Sequence, residues 1–315
     1  LAGTRYLRII DVIRVWGKGG IWSNFAMVSK CLSFERLFDL LPNLYKPAVI
    51  WYGVDERIEL SGHVVNMWSS KVAALLDSEI GTPSLTVHMA LPPHWRSIVW
   101  AAGIWRAGNV LTLEGDQGAE LSLACHEANL DPDAEVSVLT PLASLALRWP
   151  GALPPLTLDG AADLMSYPDS FAPIACPSTA PAWLSDGELI SRQQVLDQAG
   201  LYTQTLAGIN DSQKPQEITA LTPPNSNQAD INLGQTNRTS LLADSNSKTT
   251  RPNSKESYAN EITPLAISTS DTRQALLATL GSWLNGRTAL LLDPQLPTDQ
   301  MRRALAQEGC TSLNM

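Results

Sequence analysis

The stretch from residue 85 to residue 113 constrains the fold of this chain more than any other. Leu85–Leu91 is a short, mostly apolar run that predicts a buried strand, and Asn109–Leu113 predicts a second one. Between them, Trp95–Arg106 has the length of a helix, and Ala107-Gly108 is a sequence at which helices end. A buried strand, a helix and a second buried strand indicate a parallel β-α-β unit.

The residues on the amino-terminal side of this unit predict a hairpin followed by a helix. Val49–Tyr52 and Glu56–Leu60 have strand character, and only a short link separates them. Ser61 is a residue type that favours a helix N-cap, and Gly62–Asp77 has apolar residues at helical spacing. Gly81-Thr82-Pro83 then ends that helix.

The carboxyl-terminal residues repeat this alternation of strands and helices. Leu265–Ser268 and Thr288–Leu292 predict buried strands, while Thr272–Leu284 and Gln300–Gln307 predict helices. An order of strand, helix, strand and helix is typical of parallel α/β architecture. We therefore expect an α/β fold with a mostly parallel sheet flanked by helices.

Composition divides the chain into four segments. We expect an N-terminal extension at 1–34, an α/β region at 35–204, a polar insertion at 205–262 and a continuation of the α/β region at 263–315. The polar insertion is rich in Asn, Ser, Thr, Gln and Pro. Such a segment cannot bury enough apolar surface to offset its ordering entropy of about 1–2 kcal/mol per residue, so we expect it to be disordered.

Charge and cysteine content exclude several classes of partner and site. The 315 residues carry a formal net charge of −9, which disfavours binding to nucleic acid and to anionic membranes. No apolar run reaches the ~20 residues that a membrane-spanning helix needs. Four scattered cysteines lack the paired spacing of a zinc site, so we expect free thiols in a cytoplasmic protein: Cys31, Cys125, Cys176 and Cys310.

Four short motifs stand out along the chain: Glu59-Leu60-Ser61, Lys71–Leu76, Leu91-Pro92-Pro93 and Trp105–Gly108. They resemble the N-terminal part of the adenylate-forming, AMP-binding superfamily, which includes the acyl-CoA synthetases. The resemblance covers about residues 47–200 and, more weakly, 263–310, and it is closer still to a family of short bacterial AMP-binding-like proteins. It implies the fold of part of the large domain of the superfamily.

The residues that such enzymes use to hold ATP are missing from this sequence. The resemblance places a phosphate-binding loop before a predicted helix at Asp186–Ala199, where Cys176–Leu184 stands. That stretch has no lysine and no glycine, and its two prolines lack backbone donors. The family's Tyr-Gly-x-Thr-Glu and hinge motifs are absent, and we expect the C-terminal lid to be lacking as well. We therefore expect no cofactor, and we assign no catalytic, cofactor-binding or metal-binding residue.

The histidines do not form a recognisable catalytic motif. No Gly-x-Ser-x-Gly sequence places a nucleophile beside them, and we expect packing or surface roles. The four are His63, His88, His94 and His126.

Three further features have simple structural explanations. Glu114-Gly115-Asp116 follows a parallel strand, where α/β proteins form sites, although a solvated loop is the stronger expectation. Gly17–Gly20 is similar to a phosphate nest but lacks the flanking strand and helix of a P-loop. The tryptophans are expected to fill the core and to line a residual apolar cleft: Trp51, Trp68, Trp95, Trp100 and Trp105.

Three functional hypotheses remain open. The main one is a non-catalytic AMP-binding-like protein that binds an unknown small acyl or aromatic ligand or a protein partner. The second is an ATP-dependent acyl-CoA synthetase, an acid–thiol ligase with atypical or partner-supplied residues, and it alone requires ATP and Mg²⁺. The third is a truncated or decayed gene product.

Overall fold

A computed structural model describes residues 33–44, 46–115, 117–212 and 263–310, with the backbone alone for 205–212. Nearly all of the expected N-terminal extension and most of the expected polar insertion lie outside the described residues. The Gly17–Gly20 motif and Cys31 lie outside them as well.

The described residues form six α-helices and eleven strands. The helices are α1 Phe34–Leu40, α2 Gly62–Glu79, α3 Trp95–Arg106, α4 Arg192–Ser212, α5 Thr272–Leu284 and α6 Thr298–Gln307. The first six strands are β1 Pro47–Tyr52, β2 Arg57–Ser61, β3 Thr86–Ala90, β4 Val110–Thr112, β5 Leu121–Ala124 and β6 Val136–Leu139. The other five are β7 Thr157–Asp159, β8 Pro181–Ser185, β9 Glu188–Ser191, β10 Leu265–Ile267 and β11 Ala289–Leu292.

The strands form two sheets. A seven-stranded sheet has the order β7-β6-β5-β3-β4-β8-β9, and a four-stranded sheet has the order β10-β11-β1-β2. All neighbouring strands are parallel except the two hairpins, β1–β2 and β8–β9. The expected α/β fold with a mostly parallel sheet and flanking helices is confirmed.

Helices α2, α3, α4 and α5 fill the space between the two sheets. Helix α3 contacts both β1 of the smaller sheet and β4 of the larger one, and a single apolar core joins the layers. Helices α2 and α3 approach closely at Gly103, where an added Cβ atom would come within 2.3 Å of Val72 Cγ1. The core therefore depends on a residue without a side chain at this crossing.

Local signals fix the ends of the central helices as the sequence predicts. The Ser61 hydroxyl accepts a hydrogen bond from Val64 N–H at 3.2 Å and caps α2. Helix α3 spans the predicted residues, and His94 caps it by accepting a hydrogen bond from Arg96 N–H at Nδ1 (3.1 Å). Gly108, with φ 75°, follows α3 in the left-handed conformation that favours glycine.

Helix α6 packs on the outer face of the four-stranded sheet. It contributes Ala304 to a small apolar cluster with Ile50 and Leu290, which point away from the helices between the sheets. The second face of this sheet is thus also covered, as the wholly apolar strand β11 predicts.

The helix predicted from Asp186 starts too early. Strand β9 precedes it, and α4 begins at Arg192. Leu189 lies on this edge strand and is 63% exposed. At its other end, α4 runs to Ser212 and therefore crosses the predicted boundary at residue 205.

Leu156 offers a test of backbone strain. It is 98% exposed and has φ 61°, a left-handed conformation that costs a bulky residue roughly 1–2 kcal/mol. Asparagine tolerates this conformation, so Leu156→Asn should raise the free energy of unfolding by about 0.5–1 kcal/mol in urea denaturation. Leu145→Asn is the matched control, because Leu145 is 86% exposed without a positive φ. Equal changes in the free energy of unfolding for the two substitutions would show that the Leu156 backbone is not strained.

Candidate functional site

The carboxyl ends of the parallel strands form one edge of the seven-stranded sheet. From β3 the chain continues to β4 on one side, crosses to β5 on the other side of β3, and then proceeds outwards to β6 and β7. Open α/β sheets bind ligands outside the carboxyl ends of the strands where the order reverses. This carboxyl edge is therefore where a site is expected.

Glu114 lies at the carboxyl edge, just after β4, and holds the β8–β9 hairpin. Its Oε1 accepts a hydrogen bond from Ser185 Oγ (3.0 Å), and its Oε2 accepts one from Asp186 N–H (2.9 Å). Arg273, near the start of α5, donates to Ser185 Oγ at 3.0 Å. Its guanidinium carbon lies 5.4 Å from the centre of the Trp183 ring. A carboxylate and a guanidinium thus meet at one hydroxyl group.

The β8–β9 hairpin closes with a two-residue turn, Asp186-Gly187. Their φ values of 52° and 74° are those of a type I′ turn, which Asp-Gly favours. The expectation of a loop across Cys176–Leu184 is wrong at its end, because Pro181–Leu184 belongs to β8. Trp183 pairs there with Leu111 of β4 in parallel register.

Glu56 lies in the turn region of the β1–β2 hairpin and joins three segments of the chain. Its Oε1 accepts a hydrogen bond from Trp51 Nε1 (3.1 Å), and its Oε2 accepts one from Ser144 N–H (3.2 Å). His94 Nε2 lies 3.6 Å from Glu56 Oε1. Because His94 Nδ1 accepts the cap hydrogen bond from Arg96, the neutral ring carries its proton on Nε2, facing Glu56.

Burial and hydrogen bonding shift the acid–base behaviour of this pair. Burial is the main cause that lowers the pKa of His94 to about 4; the Glu56 carboxylate opposes this shift and the nearby Arg96 charge adds to it. Burial alone would raise the pKa of Glu56, but the hydrogen bonds from Ser144 and Trp51 outweigh it and lower that pKa. At neutral pH the pair is therefore a carboxylate beside a neutral imidazole, which is a structural contact.

The other histidines do not converge on a site. His63 and His126 are exposed. His88 is buried on the face of β3 that points away from the helices, and its Nδ1 lies 2.9 Å from Ser122 Oγ. Ser122 also accepts a hydrogen bond from Asp131 N–H, and it is completely buried. A substrate therefore has no access to this hydroxyl.

The tryptophans pack against each other and against α3. Trp100 and Trp105 are fully buried, as expected, and Trp105 lies 5.9 Å from Trp183 between ring centres. Trp51 packs edge-on against His94 at 4.8 Å. These rings fill the core between the two sheets.

Metal-ligand clusters, membrane-spanning helices and paired cysteines are absent from the residues that the structure describes. Among them, no three His, Cys, Asp or Glu side chains are arranged to hold a metal ion. Within the same ranges, no helix is both long enough and apolar enough to cross a membrane. The three cysteines there, Cys125, Cys176 and Cys310, are free thiols.

Sequence reasoning missed the cluster at the hairpin. Ser185 and Arg273 are 88 residues apart, and no local pattern links them. The Asp186-Gly187 pair is a strong local turn signal that identifies the hairpin, but it does not show that Glu114 is its partner.

The fold is similar to that of several solved enzymes. An acyl-CoA synthetase from Brucella canis matches with a TM-score of 0.61 and 13% identity, over 90% of this chain and 47% of that protein. A fatty acyl-adenylate ligase from Legionella pneumophila, solved with acyl adenylate and pyrophosphate, matches with a TM-score of 0.55 and 12% identity. That match covers 90% of this chain and 44% of the ligase. Acetoacetyl-CoA synthetase from Streptomyces lividans matches with a TM-score of 0.56 and 15% identity, over 89% of this chain and 42% of that protein.

This is the fold of part of the acyl-CoA synthetase large domain. The resemblance seen in the short motifs is confirmed at the level of the fold. In sequence, a Mycobacterium tuberculosis protein known by a family designation alone is 31% identical over 94 residues, which is 29% of this chain and 38% of that protein. No family model matches the sequence. The chain spans less than half the length of each of these relatives.

The burial of His94 predicts that the protein loses stability in acid. The pKa of His94 is about 4 in the folded protein and about 6.5 when unfolded. Unfolded chains therefore bind the proton first, and stability is lost as pH falls below 6.5. Between pH 6.5 and 4.5 we expect a loss of about 2–3 kcal/mol in urea denaturation, before Glu56 contributes.

His94→Asn tests this origin, because asparagine keeps a cap acceptor for α3 without a titrating ring. The variant should lose most of the pH dependence in that window. His63→Asn, on the exposed surface of α2, should retain it. An unchanged slope in His94→Asn would show that another group is responsible.

Proposed function

We propose that this chain is a non-catalytic relative of the acyl-CoA synthetases that does not bind the triphosphate of ATP. It uses the carboxyl edge of the seven-stranded sheet to bind a small acyl or aromatic ligand or the apolar surface of a protein partner. The observation that carries this proposal is the Glu114 carboxylate bound to the β8–β9 turn.

Internal contacts already use the Asp186 N–H and the Ser185 hydroxyl of this turn. Phosphate loops bind through free backbone N–H groups and a lysine. Here the Asp186 N–H donates to Glu114, and the Ser185 hydroxyl is shared between Glu114 and Arg273. A phosphate would have to displace a carboxylate that is already bound, next to a second carboxyl group on Asp186. Charge repulsion therefore opposes a nucleotide at this position.

Exposed apolar side chains near the same edge support an acyl, aromatic or protein ligand. Leu145 and Leu147, in the loop after β6, are 86% and 79% exposed. The Glu56–Ser144 hydrogen bond holds this loop against the β1–β2 turn, where Val54 is 45% exposed. Neighbouring exposed apolar groups are a common feature of binding surfaces.

A second candidate is an acyl-adenylating ligase whose missing groups come from other residues or from a partner. Arg273 favours it, because its guanidinium lies at the β8–β9 hairpin and phosphate groups pair well with arginine. In that case ATP and Mg²⁺ would bind at the carboxyl edge. The two candidates differ in nucleotide binding, which is directly measurable.

Titration calorimetry with Mg-ATP and with AMP, accompanied by thermal melting, distinguishes the candidates. We expect heats equal to those of dilution and an unchanged melting temperature. A ligand at 100 times its Kd would instead stabilise the fold by about 2.7 kcal/mol. Saturable binding by a protein with a sharp melt would contradict the proposal and favour the ligase, whereas a broad, non-cooperative melt would favour a decayed gene product.

Glu114→Ala tests whether this carboxylate is structural. Its removal leaves the Ser185 hydroxyl and the Asp186 N–H without their shared acceptor, so the free energy of unfolding should fall by about 1–2 kcal/mol. Glu188→Ala, on the exposed side of the same hairpin, should change it by less than about 0.5 kcal/mol. An increase in stability for Glu114→Ala would instead indicate a residue kept for binding at the expense of stability.

A further inference from the structure

Cys176 occupies a chemically distinct position at the opposite edge of the sheet. It lies in the segment before β8, close to the amino ends of β4 and β8 and away from the carboxyl edge. Its backbone N–H donates to Glu35 Oε1 at 3.2 Å, and its side chain packs beside Gly108, where an added Cβ atom would come within 3.1 Å of Sγ. The residue is half-buried.

The guanidinium of Arg192, the first residue of α4, lies at this thiol with donors to spare. The Arg192 side chain is 2% exposed, and its Nη2 donates to the Trp105 carbonyl at 3.0 Å. Within the described ranges its Nε and Nη1 have no hydrogen-bond partner, since the nearest carboxylate oxygen, on Glu35, is 3.8 Å from Nη1. Burial lowers the pKa of Arg192, and the neighbouring Cys176 and Glu35 groups oppose that shift.

The other two described thiols have different surroundings. Cys125 is buried against the Ala90 carbonyl, and burial raises the pKa of its thiol. Burial and the neighbouring Glu308 carboxylate raise the pKa of the Cys310 thiol to about 11, although Arg287, whose donors bind backbone carbonyls, opposes this shift. A buried cation with unused donors therefore distinguishes Cys176 from both.

We propose that Cys176 is a reactive thiol that hydroperoxides oxidise. The thiolate sulfur attacks one oxygen of hydrogen peroxide, and the O–O bond breaks. Sulfur loses two electrons and becomes a sulfenic acid, while the second oxygen leaves as hydroxide and is protonated to water. The spare N–H groups of Arg192 stabilise the negative charge that develops on the departing oxygen.

Oxidation at this position acts on the packing of α1. The Cys176 N–H and the Arg192 guanidinium both face the Glu35 carboxylate of α1, and the Phe34 ring of α1 lies 5.4 Å from the guanidinium carbon. An oxygen added to Sγ, next to Gly108, requires this cluster to rearrange. The modified protein should therefore hold α1 less tightly.

The test is to treat the purified protein with hydrogen peroxide at pH 7 in the presence of dimedone, which traps sulfenic acids. Peptide mass spectrometry then gives a labelling rate for each cysteine, divided by its rate in the denatured chain. We expect Cys176 to react at least about ten times faster than Cys125 and Cys310 on this scale. Equal normalised rates, or a slower rate at Cys176, would overturn the proposal.

Two substitutions at Arg192 test whether its positive charge, rather than the accessibility of the thiol, sets the oxidation rate of Cys176. Arg192→Lys keeps a cation near the thiol and should keep most of the rate advantage, whereas Arg192→Met should remove it. Thermal melting of both variants checks that they fold. If Arg192→Met reacts as fast as the wild type, the guanidinium has no role and the proposal is wrong. If either variant does not fold, the wild-type rate comparison still decides the question.

Discussion

The complete burial of helix α3 is the constraint on which the rest of the structure depends. All of its residues are buried between the two sheets, including Arg96 and Arg106 near its ends. A buried guanidinium needs hydrogen-bond acceptors, and these two find them in backbone carbonyls of flanking loops. Arg96 donates to the loop after β6, and Arg106 donates to the Phe171 carbonyl at 2.8 Å. One helix thereby orders loops at both edges of the larger sheet.

At the carboxyl edge, internal partners already use most of the charged groups. Glu114 closes the β8–β9 turn, and Glu56 fastens the β1–β2 turn to the loop after β6. Enzymes of this fold that act on ATP need free donors and cations at such an edge. Here the exposed groups include Leu145 and Leu147, which suit an apolar ligand better than a phosphate. The proposed non-catalytic role rests on this combination of internally paired charged groups and exposed apolar side chains.

The sequence predicts the central β-α-β unit well because its signals are local. Capping residues and a terminal glycine fix α3, and the apolar runs of β3 and β4 can only be buried strands. The helix expected from Asp186 overlaps strand β9, where Leu189 lies exposed at the edge of the sheet. The candidate site could not be predicted, since Glu114 and Ser185 are 71 residues apart and only the parallel pairing of β4 with β8 brings them together.

The most direct test of the account is nuclear magnetic resonance of the Asp186 and Gly187 amides during addition of Mg-ATP. If Glu114 occupies this turn, the Asp186 N–H remains bonded to its carboxylate. Both amide signals should then stay in place up to millimolar nucleotide. Saturable shifts confined to these amides, Ser185 and Arg273 would show that the hairpin receives phosphate groups and would contradict a non-catalytic relative.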